Sequence, residues 1–99
     1  LQYLDLSMSN IDQGSWRELS EALTENKTLL HLELRGNSVS DVESWEQLGQ
    51  ALSRNSTLRH LGLAETNLND RGFELLGNGL QTNIGLEYLD LSELTASNR

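Results

Sequence analysis

Leu29-Leu30-His31-Leu32-Glu33-Leu34-Arg35-Gly36-Asn37-Ser38-Val39 decides how the rest of the chain is read. It places leucines at its first, fourth and sixth positions, an asparagine at its ninth and an aliphatic residue at its eleventh. Leu32 and Leu34 alternate with His31, Glu33 and Arg35. A period of two puts the leucines on one face of a short strand and the polar side chains on the other. The stretch therefore predicts a strand that is buried on one side and displays charged and aromatic groups on the other.

The frame recurs. Leu1, Leu4, Leu6 and Ile11 fill it first, Leu58, Leu61, Leu63 and Leu68 fill it third, and Leu86, Leu89 and Leu91 begin a fourth copy. The starts at Leu1, Leu29, Leu58 and Leu86 lie 28, 29 and 28 residues apart. Fixed spacing across a whole chain marks a repeat architecture, in which neighbouring units bury one another. We expect repeats at 1–28, 29–57 and 58–85 and a partial one at 86–99, forming a single domain or an excerpt of one. The ninth place is less regular. It holds Asn37 in the second copy, but Ser9 and Thr66 in the first and third, with Asn10 and Asn67 displaced by one. A continuous asparagine ladder is not expected there.

Each strand leads to an aliphatic residue and then a residue suited to cap a helix: Ile11-Asp12, Val39-Ser40 and Leu68-Asn69. Such side chains accept a hydrogen bond from the unpaired amides of the first turn. An apolar stripe follows. Trp16, Leu19, Ala22 and Leu23 correspond to Trp45, Leu48, Ala51 and Leu52, and then to Phe73, Leu76, Gly79 and Leu80. These spacings lie along one side of a helix, which is expected to pack on the leucine side of the sheet. The extra residue of the second repeat falls between Val39 and Trp45 and predicts a longer loop or first turn. Asn26, Asn55 and Asn83 each stand three residues beyond the last leucine of a helix. Asparagine tolerates the left-handed conformation that ends many helices, and that role is expected here. Asn26-Lys27-Thr28 and Asn55-Ser56-Thr57 also read as glycosylation sequons, but the shared frame position favours the structural role.

These residues predict an α/β fold, a leucine-rich repeat solenoid: a right-handed coil of strand-helix units with a parallel sheet inside and helices outside. Because helices are wider than strands, the sheet is expected on the concave side. The pattern Trp16-x-x-Leu19-x-x-Ala22-Leu23-x-x-Asn26-x-Thr28-Leu29 resembles the ribonuclease-inhibitor-like class of leucine-rich repeats, which includes Nod-like receptors, tropomodulin and the activating protein of the Ran GTPase. The resemblance spans the chain and implies protein binding with no particular partner. One departure is the glycine usual early in the helix: it is present as Gly14, shifted to Gly72, and replaced by the Asp41-Val42-Glu43 region in the second repeat.

Composition narrows the function. Fifteen acidic residues against seven basic ones give a formal net charge of −8. Nucleic acid and anionic membrane both require a basic footprint, so the expected partner is a protein with a basic patch. There is no cysteine, hence no disulfide framework and no thiolate metal site, which favours a cytoplasmic setting. No apolar run approaches the ~20 residues that cross a bilayer. The sequence opens on a repeat leucine and stops within a fourth repeat, with no polar capping repeat at either end. It is expected to be an excerpt of a longer chain; the alternative is a short protein that pairs its open ends with a partner. With no capping repeat, Leu1 and Leu4 at one end and Leu89, Leu91 and Leu94 at the other are expected to be uncovered, so the isolated chain is expected to self-associate or fray at its ends.

The display face is expected to carry three rows: Tyr3, His31, His60 and Tyr88; Asp5, Glu33, Gly62 and Asp90; Ser7, Arg35, Ala64 and Ser92. Tyrosine and histidine supply contact area, and carboxylates receive lysine or arginine. The candidate partner-binding residues are therefore Tyr3, Asp5, His31, Glu33, Arg35, His60, Tyr88 and Asp90. His31 and His60 with Glu33 are potential metal ligands, but no fourth ligand points the same way, so neither a metal nor a cofactor is expected. No Ser-His-Asp or Cys-His arrangement shares a site, and Gly77-Asn78-Gly79 lies inside a helix pattern rather than in a phosphate loop. The expectation is a binding module and not an enzyme. The alternative is a regulatory or accessory segment of a larger protein, GTPase-activator-like or innate-sensor-like, for which Arg71 and Asn10 are the nearest candidate residues.

Overall fold

The computed structural model describes residues 1–39 and 41–92. Four strands alternate with three helices: β1 (Tyr3–Asp5), α1 (Gln13–Glu25), β2 (His31–Glu33), α2 (Val42–Arg54), β3 (His60–Gly62), α3 (Asp70–Leu80) and β4 (Tyr88–Asp90). The strands form one parallel sheet in the order β1-β2-β3-β4. Tyr3, His31, His60 and Tyr88 pair in register, as do Leu4, Leu32, Leu61 and Leu89. The third, fourth and fifth positions of the sequence frame are thus the strand residues.

Backbone pairing continues past the strands. Leu6, Leu34 and Leu63 donate to the carbonyls of Glu33, Gly62 and Asp90 at 2.9, 2.9 and 2.8 Å. The eighth position then turns in the left-handed region in three units: Met8 at φ 53°, Gly36 at φ 77° and Glu65 at φ 58°. The displaced asparagines Asn10 and Asn67 do the same at φ 57° and 62°. Asparagine is among the side chains that bear this conformation with least strain, which accounts for their place one residue beyond the frame.

Leu32, Leu34, Leu61 and Leu63 are fully buried and share one apolar cluster with Trp16, Leu23, Trp45, Leu48, Leu52 and Leu76 of the helices. The helices therefore cover the leucine side of the sheet. Trp16 and Trp45 pack edge to face with centroids 5.5 Å apart, and the Trp16 indole donates to the Ser44 carbonyl at 2.9 Å. Each tryptophan leans on the next unit, Trp16 at Ser44 and Trp45 against Gly72, where an added Cβ would strike the indole. Phe73, in the same helical place, is 49% exposed and departs from the expected stripe, as does the exposed Ala22. Among the described residues, no fourth helix follows for Phe73 to lean on.

The caps follow the sequence with one correction. Asp12 accepts from the Ser15 amide at 2.8 Å and Asn69 from the Gly72 amide at 2.8 Å. The cap of α2 is Asp41, which accepts from the Ser44 amide at 3.0 Å, and not Ser40. Ser40 itself lies outside the described residues, as does Leu94. The spacing from cap to aromatic is constant, Asp12 to Trp16, Asp41 to Trp45 and Asn69 to Phe73, so the extra residue is absorbed by the loop ahead of the cap.

A second correction concerns the helix ends. Asn26 and Asn55 cap their helices with extended backbone, φ −75° and −95°, and not in the left-handed region. They act through their side chains. The Asn55 amide donates to the carbonyls of Leu23 and Asn26, and that of Asn83 to Leu52 and Asn55, at 2.7–3.1 Å. Their carbonyl oxygens accept from the amides of Leu58 and Leu86, as Asn26 does from Leu29. The ladder absent from the ninth position stands here, linking each unit to the one before. At the ninth position, the Asn37 side chain bridges back to Leu6, Ser9 and Ile11, whereas the Thr66 hydroxyl donates to the Leu63 carbonyl of its own turn.

Candidate functional site

The side of the sheet opposite the helices carries the third- and fifth-position side chains. In-register pairing brings four rings into one row: Tyr3 and His31 have centroids 4.2 Å apart, His31 and His60 3.7 Å, and His60 and Tyr88 4.5 Å. The two imidazoles are stacked, with 12° between their planes, and the flanking tyrosines are tilted. Tyr3 and Tyr88 are more than half exposed, whereas the histidines between them are half-buried. Spacing between adjacent strands of ~4.8 Å suits ring-on-ring contact, so the sheet itself sets this row.

The fifth-position row is acidic. The Asp5 carboxylate accepts from the Ser7 amide at 2.9 Å and the Ser7 hydroxyl at 2.5 Å. Asp90 accepts from the Ser92 amide at 3.0 Å. These local turns fix both carboxylates and hold their pKa values below the ordinary range, Asp5 chiefly through the Ser7 hydroxyl and Asp90 chiefly through the Ser92 amide. Glu33 behaves differently. Its neighbour in register is Gly62, and an added Cβ there would collide with the Glu33 carboxylate. Glu33 thus lies across β3, with Oε1 3.6 Å from His31 Nε2. His60 has its pKa lowered, first by burial and then by His31, with Glu33 and Asp90 opposing.

Arg35 lies at the rim, 3.6 Å from the Glu65 carboxylate, and its charge helps to lower the Asp90 pKa. The structure therefore gathers all eight sequence candidates on one face: Tyr3, His31, His60 and Tyr88 in the ring row, Asp5, Glu33 and Asp90 beside it, and Arg35 at the edge. Ala64, expected in the outer row, is fully buried. Sequence reading missed Ser7 and Ser92 as partners of the aspartates, although the repeated Asp-x-Ser spacing signals such a turn. It also missed Glu65 beside Arg35. Arg71 bonds Glu74 within α3 at 2.9 Å, and Asn10 lies in the loop between β1 and α1, so neither stands in these strand rows.

The family model described as Leucine Rich repeat matches residues 25–42 and 54–77, which take in β2 and β3, the loops beside them and most of α3. The chain is a leucine-rich repeat protein. Domains of this family generally mediate protein–protein interaction. No curated protein matches this leucine-rich repeat chain. Among the described residues, no helix is long and apolar enough to cross a membrane.

Proposed function

We propose that this leucine-rich repeat protein binds a partner protein through the helix-free face of its sheet, on the concave side of a curved stack of ribonuclease-inhibitor-like repeats. The observation that carries the reading is the continuous row Tyr3-His31-His60-Tyr88 flanked by Asp5, Glu33 and Asp90. Rings bury large area at small entropic cost, and the carboxylates beside them receive cationic side chains. The partner therefore presents a basic patch, in keeping with the net charge of −8, and the absence of cysteine suits a cytoplasmic setting.

The test compares faces. Partners captured with the wild-type chain are purified and their binding to variants is measured by surface plasmon resonance. Tyr88→Ala and His60→Ala are expected to weaken binding by more than ~1 kcal/mol, and Glu33→Gln with Asp90→Asn to slow association chiefly. Glu18→Gln and Glu21→Gln, exposed on α1, are expected to change little. Loss of binding in the helix variants with the sheet variants intact would move the site to the other side.

A further inference from the structure

We infer that His31, His60 and Glu33 form a binding site for a borderline divalent transition-metal ion of the zinc class, with the protein supplying two imidazole nitrogens and one carboxylate oxygen. One ligand atom from each of the three residues lies within 4.8 Å of the others. Ligands of a shared ion at ~2.0–2.2 Å stand about 3.3 Å apart, so the cluster needs to contract by no more than about 1.5 Å. That is within reach of side-chain rotation on a fixed sheet.

Three features distinguish this cluster from histidines that merely stack. First, His31 Nε2 is buried and, among the described residues, has no hydrogen-bond partner. Glu33 Oε1 at 3.6 Å is too distant to be one. A buried nitrogen in this state is an unmet ligand atom, and an ion between it and the carboxylate satisfies both. Second, Gly62 leaves the space on β3 through which Glu33 reaches the histidines, and any side chain there would displace the carboxylate. Third, the other two carboxylates of the row are already held by Ser7 and Ser92, which leaves Glu33 as the adaptable acidic ligand.

Imidazole nitrogens with a carboxylate suit zinc, copper(II) and nickel(II) more than calcium or magnesium, which prefer all-oxygen sets. Near-parallel stacked rings cannot both aim an in-plane lone pair at one ion, so binding opens the 3.7 Å stack to a tilted arrangement. Metal binding at this cluster goes beyond partner recognition and does not depend on it: the face can bind protein without the ion, and the ion without protein.

The experiment is calorimetric titration of zinc chloride into the full chain, with cobalt(II) absorption as a second readout of the ligand field. Saturation at one ion per chain at micromolar concentrations is expected, with visible cobalt bands of a low-coordinate nitrogen–oxygen site. His31→Ala, His60→Ala and Glu33→Gln are each expected to weaken binding at least tenfold with circular dichroism unchanged, whereas Asp5→Asn leaves it as it was. Glu33→Gln keeps size and polarity, so it tests the ligand even if a histidine variant disturbs the sheet. Absence of a one-to-one isotherm, or an isotherm that Glu33→Gln and His60→Ala leave unmoved, would overturn the site.

Discussion

At the scale of single residues, the burden falls on leucines and asparagines that act between units. Leu34 is fully buried in the shared core, and truncating such a leucine removes both transfer energy and packing. Leu34→Ala is expected to cost on the order of 2–5 kcal/mol in urea unfolding; a loss under half a kilocalorie would mean that the repeat frame is misplaced. Asn55 is 2% exposed and pairs with two carbonyls of the preceding unit. Asn55→Ala leaves buried groups unpaired on both sides and is expected to cost at least about 2 kcal/mol, whereas Thr66→Val removes a single local bond worth roughly 0.5–1.5 kcal/mol. A larger loss from Thr66→Val than from Asn55→Ala would deny the asparagine ladder its role. The place of Asn55 was legible from its recurrence; its conformation was not. Spacing shows that a residue repeats, while the choice between a left-handed backbone and a bonded side chain depends on carbonyls of another unit.

At the scale of elements, the helices differ according to what covers them. Within α3, an added Cβ at Gly79 would strike the Gly49 backbone of α2, while at Gly77 it meets nothing within 4 Å. Gly79→Ala is therefore expected to destabilise by about 1–3 kcal/mol, and Gly77→Ala to stabilise by about 0.5–1 kcal/mol through helix propensity. Thermal unfolding of the two variants gives opposite signs if the α2–α3 contact is as close as described. The Asp12 cap adds a pH dependence. Its pKa is lowered from 3.8 by the amide and hydroxyl of Ser15, so the folded state holds fewer protons than the unfolded one. That contribution is present above about pH 4 and is lost as pH falls through the lowered folded value. Asp12→Asn is expected to flatten this part of the acid limb, seen as a smaller change in unfolding midpoint between neutral and acidic buffer. Two of the three caps were legible, and the third was misread by one residue because Ser40 and Asp41 are both competent acceptors. Only the constant distance from cap to aromatic separates them.

At the scale of the whole molecule, strand register made the face legible in advance. A frame spaced by 28 or 29 residues aligns like positions on parallel neighbours, so the ring row and the acidic row follow from the sequence alone. What spacing does not encode is the reach of a flexible side chain: Glu33 crossing Gly62 toward the histidines depends on rotamers and on an empty Cβ position. The exposure of Phe73 likewise reflects which neighbour stands beside it, a property of the stack and not of its helix. The central claim is that the rings and carboxylates opposite the helices are where a partner protein docks. The most direct measurement is mapping of backbone amide shifts by nuclear magnetic resonance as a captured partner is titrated in. The largest changes are expected at Tyr3–Asp5, His31–Arg35, His60–Gly62 and Tyr88–Asp90, with the exposed residues of α1 and α2 unmoved. Changes confined to the helices, with the ring row unperturbed, would contradict it.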